Sequence, residues 1–428
     1  MNRFQLLEVI SDQHSIQIKE GFVPRYDRFR SFDTESLITI ISGIRRCGKS
    51  TLLNEIRLLN KQNDFYFTFD DDRLIEFSLP DFQLLLELFI EKYGQQNTFY
   101  FDEIQNIAGW ERFVRRLHDM GNKIYITGSN ARMLSRELGT HLTGRYIQLE
   151  LYPFSFIEFA ASQNNLYNAF TDSATVGKAK WMRIFNQFLE FGGIPEYIKD
   201  NNREYLKNLY EGIVYKDILT RHKLSKEKEI KELLYFIAGN ISKELTQNSL
   251  AKVVGIKNAS TIKDYLQFFE DSYLTFTLLK YDDSIKRQLL APRKVYFIDT
   301  ALAKNISFRK SEDLGRILEN IVFLELKRRG GEVFYFKGKQ ECDFIHIQTK
   351  IGKSVFQVCT DLHVESTKSR EVNGLIEVMI FFNLDIGYIL TMSEEDEINL
   401  DGKKIIMKPV WKWLLENKGL VKITVKAD

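Results

Sequence analysis

The sequence predicts an α/β protein: a mostly parallel, doubly wound sheet near the N-terminus, a helical middle, and a second α/β domain at the C-terminus. Three observations predict it. Five short apolar runs alternate with helical stretches between residues 37 and 151. Helical periodicity with little strand character fills 154–235, and from about residue 312 a helix leads into three further strands. Strands that are apolar on both faces and joined by helices belong in a parallel sheet covered on both sides.

Taken in order, Leu37-Ile38-Thr39-Ile40-Ile41 reads as the first strand and ends in a glycine-rich turn. Leu52, Leu53, Ile56 and Leu59 then recur at helical spacing. Further strands are expected at 65–69, 98–101, 123–127 and 146–151, with Trp110, Phe113, Val114 and Leu117 marking an amphipathic helix between the third and fourth. Gly192-Gly193-Ile194-Pro195 marks a turn in the helical stretch. Within 244–278, Leu250, Val253 and Val254 precede Gly255, and Ile262, Leu266, Phe268 and Phe269 follow it, which suggests helix-turn-helix. A strand follows at 293–298. Leu314, Leu318, Ile321, Val322 and Leu326 then form a helix ahead of strands at 332–336, 342–348 and 354–359.

A chain of 428 residues is long for one core, so two to three domains are expected. Its 44% hydrophobic and 28% charged residues exclude compositional disorder. A formal charge of +2 gives no broad electrostatic case for nucleic acid and leaves room only for a local basic face. Cys47, Cys342 and Cys359 lie far apart, which argues against a disulfide framework and a cysteine-rich zinc site, and the histidines show no metal-ligand spacing. Residues Met1 to Glu20 have no signal-peptide core, and no apolar stretch would span a bilayer. The cytoplasm is the expected compartment, with no membrane partner.

The sharpest signal is Gly43-Ile44-Arg45-Arg46-Cys47-Gly48-Lys49-Ser50, a full match to the P-loop pattern GxxxxGK[ST], lying after a strand and before a helix. Glycines let the backbone curl so that its N–H groups face phosphate oxygens, and the helix N-terminus favours the same anion. Lys49 is expected to reach the β- and γ-phosphates and Ser50 to bind Mg²⁺, with Gly43 to Thr51 lining the ATP site. Thr98 to Phe101 is an apolar strand ending in Asp102-Glu103. Asp102 would hold Mg²⁺, and Glu103 would orient or deprotonate the attacking water. Gly128-Ser129-Asn130 ends the next strand, where Ser129 and Asn130 either sense phosphate or cap the following helix. Arg145, and with less weight Arg136, would supply charge to the transition state, in cis or from a neighbouring subunit.

In the helix-turn-helix segment, Lys257, Asn258, Ser260, Thr261 and Lys263 are available to DNA, with a basic wing at Lys286 and Arg287. A role in packing between domains is the equal alternative. Asp70-Asp71-Asp72 reads as a solvated loop rather than a metal site.

Together these motifs resemble those of prokaryotic AAA-type P-loop ATPases whose C-terminal half is a domain with a restriction-endonuclease-like core. The resemblance rests on Gly43 to Thr51, Phe101 to Gln105, Thr127 to Asn130, Leu142 to Arg145, Pro153 to Phe156, Gly192 to Glu196, Val295 to Thr300 and Leu314 to Asn320. It implies a P-loop NTPase core of AAA type with an N-terminal extension over 1–152 and a helical lid over 153–238. It further implies a winged-helix segment over 239–292 and a nuclease-like α/β domain over 293–428.

Nucleases of the PD-(D/E)xK type hold Mg²⁺ with a helix glutamate, a strand aspartate and a further acid, and a lysine assists the water. Glu319 and Asp343 fit the first two positions, but Gln357 and Cys359 stand where the third ligand and the lysine belong. A neutral amide and a thiol are poor replacements, so a degenerate metal site is expected, with Glu341, Lys350 or Lys353 as weaker substitutes. The expected function is an ATP-binding and hydrolysing switch using ATP and Mg²⁺. A nucleotide-gated DNA-binding protein is the alternative, and a Mg²⁺-dependent nuclease a weaker one. A second copy of the chain or another protein completes the range of expected partners.

Overall fold

The structure is a computed structural model that describes residues 1–15, 22–25, 29–30, 33–60, 65–129, 142–163, 174–307 and 313–416. The chain divides into two compact units, the first spanning Met1–Tyr152 and the second beginning at Pro153.

In the first unit, strands β1 (Ile38–Ser42), β2 (Phe65–Thr68), β3 (Thr98–Asp102), β4 (Lys123–Gly128) and β5 (Tyr146–Glu150) form one sheet. Its order is β2-β3-β4-β1-β5, and every pairing is parallel. The parallel sheet is the one the alternating pattern predicts. β1, β3 and β4 are buried along nearly their whole length, as inner strands covered on both faces must be, whereas the edge strands β2 and β5 are only partly buried. The core is phenylalanine-rich: Phe65, Phe67, Phe99 and Phe101 pack with Trp110 and Phe113, and Phe82 stacks on Phe113 with ring centroids 4.6 Å apart.

Two helices of this unit were not foreseen, Arg3–Ser15 and Asp81–Tyr93. Both carry the i, i+3, i+4 spacing that would reveal them, Leu6-Val9-Ile10 and Phe82-Leu85-Leu88-Phe89. Gln13 also completes the sheet. Its amide donates to the Thr68 carbonyl at 3.1 Å and its oxygen accepts from the Thr68 N–H at 3.0 Å, which satisfies the exposed side of edge strand β2.

The second unit begins with helices Phe156–Ser162, Ala174–Phe191, Pro195–Asp200, Arg203–Gly212 and Glu227–Ala238, with a π-helical stretch over Ile213–Thr220. A three-stranded sheet follows, β6 (Glu244–Leu245), β7 (Thr275–Leu278) and β8 (Arg293–Phe297), in the order β6-β8-β7. Helices Gln247–Val253 and Ala259–Asp271 lie in sequence between β6 and β7, on either side of Gly255 at φ +70°. Thus residues 275–278, read from sequence as part of a helical unit, are a strand.

The helix Leu314–Arg328 precedes a six-stranded mixed sheet made of β9 (Glu332–Lys337), β10 (Glu341–Gln348), β11 (Gly352–Val358), β12 (Ile386–Thr391), β13 (Asp396–Leu400) and β14 (Lys403–Pro409). Its order is β13-β14-β12-β11-β10-β9, and helix Glu365–Phe381 covers its core through Val372, Leu375, Val378 and Met379. The first three strands match expectation; β12 to β14 were not foreseen. No helix among the described residues is long and apolar enough to cross a membrane.

The Gly192-Gly193 turn is held by Asp299. Its carboxylate accepts the Gly193 N–H at 2.6 Å and, at the start of the helix Thr300–Ser307, the Leu302 N–H at 2.9 Å. A Cβ on Gly192 would lie 2.4 Å from that carboxylate, and one on Gly193 would lie 2.4 Å from the Phe154 carbonyl. Glycine is therefore needed at both positions. Burial pushes the Asp299 carboxyl up against these amides, which favour the charged form. Asp299→Ala strands the amides in a buried turn and is expected to cost about 1–3 kcal/mol. The urea midpoint should fall at unchanged m; an unmoved midpoint would show that the turn is held by something else.

Candidate functional site

The first unit gathers its polar residues at the C-terminal ends of β1, β3 and β4. In an open parallel sheet this edge is where ligands bind. The strand order matters, because β4 lies between β1 and β3 and so brings its end between the glycine-rich turn and the two acids.

The turn 43–48 connects β1 to the helix Lys49–Asn60. Gly43 has φ +155° and Gly48 φ +99°, while Arg46 is left-handed at φ +64°. Ile44 and Cys47 point inward and are fully buried, and burial pushes the Cys47 thiol up, so it packs as a small apolar group. Arg46, Ser50 and Thr51 are exposed, and Arg45 is half-buried. Lys49 is buried at 5% exposure; its ammonium donates to the Gly43 carbonyl at 3.2 Å and the Ile44 carbonyl at 3.1 Å, and lies 3.7 Å from Glu103 Oε1. Arg25 braces the turn from outside. It donates to the Cys47 carbonyl at 2.9 Å and the Tyr152 carbonyl at 2.8 Å, while its own N–H donates to Glu55. Sequence reading missed Arg25, because an isolated arginine in an unpatterned segment carries no signal.

At the end of β3, Ser50 Oγ donates to Asp102 Oδ1 at 3.0 Å, which brings the expected metal-binding pair together. The Thr127 hydroxyl donates to the same Asp102 oxygen and accepts the Glu103 N–H at 3.0 Å, so one side chain of β4 positions both acids. Glu103 adopts φ +52°, a left-handed conformation that costs a non-glycine residue energy and clusters at functional sites. The Gln105 amide donates to the Glu103 carboxylate and fixes its direction. Burial raises the Asp102 pKa, opposed by the Thr127 hydroxyl. Ser50 and Asp102 are hard oxygen donors, few in number, which suits a Mg²⁺ ion that arrives with phosphates and keeps its water. Thr127 and Gln105 lie in motifs that carry the resemblance, but the sequence assigned neither a role at the site, since that role depends on which strands are neighbours.

The remaining expected residues divide. Ser129 follows β4 directly, with its hydroxyl buried and without a hydrogen-bond partner among the described residues. Asn130 and Arg136 lie outside the described residues. Arg145 is not brought to the turn. Its carbonyl accepts from Ile38 at 2.8 Å, at the start of β1, and its guanidinium pairs with Asp119 at 3.1 Å. Five residues of strand separate Ile38 from Gly43, roughly 16 Å at the usual rise. A role for Arg145 in cis at the turn is therefore corrected: it sits at the opposite edge of the sheet.

In the second unit, Glu319 and Asp343 do converge, but on an ammonium group, and Gln357 reaches them only through the Asp343 backbone. Lys294 of β8 lies 3.0 Å from Glu319 Oε1, 2.8 Å from Glu341 Oε1 and 3.0 Å from Asp343 Oδ1. Gln357 Oε1 accepts the Asp343 N–H at 3.1 Å, and its amide donates to Glu371. Cys359 is buried beside this group and its thiol is pushed up by burial. The expectation that these residues form a degenerate metal site is corrected in one respect: the central cation is a lysine. As the side chains stand, with Lys294 in place, no group of three or more His, Cys, Asp or Glu among the described residues is arranged to hold a metal ion. Of the helix-turn-helix candidates, Lys257, Ser260 and Lys263 are exposed, Asn258 caps its helix by accepting the Ser260 N–H at 3.0 Å, and Arg287 pairs with Asp282 at 2.8 Å. Asp71 pairs with Arg73 at 2.9 Å and binds Gln13, a structural role.

A parallel sheet with a glycine turn feeding a helix, and an acid pair ending the strand one place beyond its neighbour, defines a P-loop nucleotide-binding domain. The AAA domain family matches residues 35–160, and a domain of unknown function (DUF8612) matches residues 182–313. An uncharacterized protein of Methanocaldococcus jannaschii is 35% identical, over 95% of this chain and 94% of its own length. One from Haemophilus influenzae is 28% identical, over 93% of this chain and 98% of its own. The chain belongs to the family of that archaeal protein, and its N-terminal unit carries an AAA domain. Among solved structures it is similar to the RuvB Holliday junction branch migration motor of Thermotoga maritima, at 14% identity over 64% of this chain and 87% of that one. The TM-score of 0.29 is too low to argue from.

Proposed function

We propose that the protein is an ATP-dependent molecular switch that binds and hydrolyses ATP at the 43–50 turn and passes the resulting change to its second unit. The observation that carries this reading is the convergence of Lys49, Ser50, Asp102 and Glu103, with Lys49 3.7 Å from Glu103 and Ser50 3.0 Å from Asp102. In this reading the buried Lys49 ammonium exchanges its contacts with the turn carbonyls for phosphate oxygens, and the amides of the turn neutralise the rest. Ser50 and Asp102 would hold a Mg²⁺ ion that arrives with the nucleotide and would offset phosphate charge. Glu103, aimed by Thr127 and Gln105, takes the proton of the attacking water. Ser129 is the polar group suited to read the terminal phosphate.

We further propose that 239–292 is a winged-helix-like segment and that the C-terminal sheet domain relays or regulates rather than cuts. DNA as its target receives less support, because Asn258 is engaged as a cap and Arg287 as an ion-pair partner.

Phosphate release by the full chain tests the reading. Lys49→Ala is expected to lower kcat/KM for ATP at least about 10²-fold, the scale for removing one preorganised charge contact to the transition state. Wild-type protein that neither binds nor hydrolyses ATP would end the proposal.

A further inference from the structure

The group around Lys294 has the composition of a cation site. Three carboxylates come from two elements, Glu319 from the helix Leu314–Arg328 and Glu341 and Asp343 from the same face of β10, two residues apart. Each has an oxygen 2.8–3.0 Å from one nitrogen. The Lys294 ammonium donates hydrogen bonds to Glu319 and Asp343, and Glu341 stands beside it as an ion-pair partner. The Lys294 side chain is 3% exposed, its nitrogen lies 5.7 Å from the Tyr335 ring centre, and Tyr296 donates to Glu319 at 2.7 Å.

Burial alone would drive a lysine to give up its proton. Here the carboxylates of Glu319 and Asp343 overcome burial and hold the ammonium well above its ordinary pKa. Glu319 is pushed up to about 7 by burial and by the charge of Asp343, as expected where three acids share one positive charge. The other neighbours complete the polar surroundings without adding a cation at the centre. Gln357 takes the Asp343 backbone N–H, the Val358 N–H donates to Asp343 Oδ2 at 3.0 Å, and Arg370 is paired with Glu371.

We propose that Glu319, Glu341 and Asp343 form a cation site whose resident cation is the Lys294 ammonium, and that this lysine keeps divalent metal ions out of the C-terminal sheet domain. A divalent metal ion needs carboxylate oxygens at about 2.0–2.6 Å, nearer than the ammonium's, from the point where the nitrogen now sits. With the ammonium present that point is filled, and a second positive charge beside it is repelled. Lys294 thus ties β8 to β10 and to the helix Leu314–Arg328 as a structural metal would. This conclusion stands whether or not the first unit hydrolyses ATP.

Mn²⁺ titration of the nucleotide-free full chain, followed by electron paramagnetic resonance, tests it. The wild-type isotherm should be unchanged by Asp343→Asn. Lys294→Ala removes the charge and opens room for an ion with its water, and is expected to gain one Mn²⁺ per chain that the double variant with Asp343→Asn lacks. Mn²⁺ should also raise the melting temperature of Lys294→Ala and leave that of the wild type in place. Wild-type Mn²⁺ binding that Asp343→Asn removes would overturn the proposal. So would folded Lys294→Ala that binds no more Mn²⁺ than the wild type. If Lys294→Ala does not fold, the comparison of wild type with Asp343→Asn decides alone.

Discussion

Glu103→Gln is expected to hold ATP within a few-fold of wild-type affinity while hydrolysis falls by about 10²–10⁴-fold, the usual contribution of a positioned general base. Glutamine keeps the shape of the side chain and an oxygen to accept the Gln105 amide, but it has no basic carboxylate for the proton of water. The backbone predicts the same separation. The left-handed Glu103 is held by the Thr127 hydroxyl through its N–H, 3.0 Å away, and that contact survives the substitution. Asp102 keeps its bonds to Ser50 and Thr127, so the pair proposed to hold the metal is untouched. Nucleotide titration against single-turnover phosphate release separates the two effects. Hydrolysis at the wild-type rate would remove Glu103 from the chemistry, and loss of ATP binding would make its role structural.

What was legible in the sequence follows from how local each feature is. The Gly43–Ser50 turn and the Asp102-Glu103 pair lie at the ends of apolar strands, and period and motif both reveal them. The five parallel strands were equally readable, because inner strands are apolar on both faces. Thr127 was not readable as a site residue. It positions both acids only because β4 pairs with β1 on one side and β3 on the other, with Thr127 opposite Ile41 and Ile126 opposite Phe101. Arg145 shows the reverse error. Its place in a promising motif suggested a role on the phosphate in cis or from a neighbouring subunit, and the pairing of Tyr146 with Ile38 excludes the role in cis by putting it at the far edge of the sheet. Lys294 and Asp343 are 49 residues apart, and no local pattern announces that they meet. Glu319 and Asp343 stood out in the sequence; the lysine that lies between them did not.

Gly43 and Gly48 both have positive φ, but only one is also wedged against backbone, and the difference predicts unequal effects. A Cβ at Gly43 would lie 2.2 Å from the Leu151 carbonyl oxygen and 3.0 Å from Cys47 Sγ. That carbonyl cannot retreat easily, because the Leu151 N–H is bonded to the Ser42 carbonyl at 2.7 Å and extends the β1–β5 pairing. At Gly48 the nearest atom is the Arg25 guanidinium at 3.7 Å, so alanine meets only the strain of φ +99°. Gly48→Ala is expected to cost about 1–3 kcal/mol of local strain and to weaken ATP binding correspondingly. Gly43→Ala adds a backbone collision at the point where the turn leaves the sheet, so either the turn or the β1–β5 edge must shift. ATP affinity should fall by more than 10-fold beyond the Gly48→Ala value, with a lower melting temperature of the nucleotide-free chain. The excess belongs to the collision, since both positions share the conformational penalty. Equal losses for the two variants, measured by nucleotide titration and thermal melting, would show that strain alone governs the turn and that its approach to Leu151 has no part in holding the phosphates.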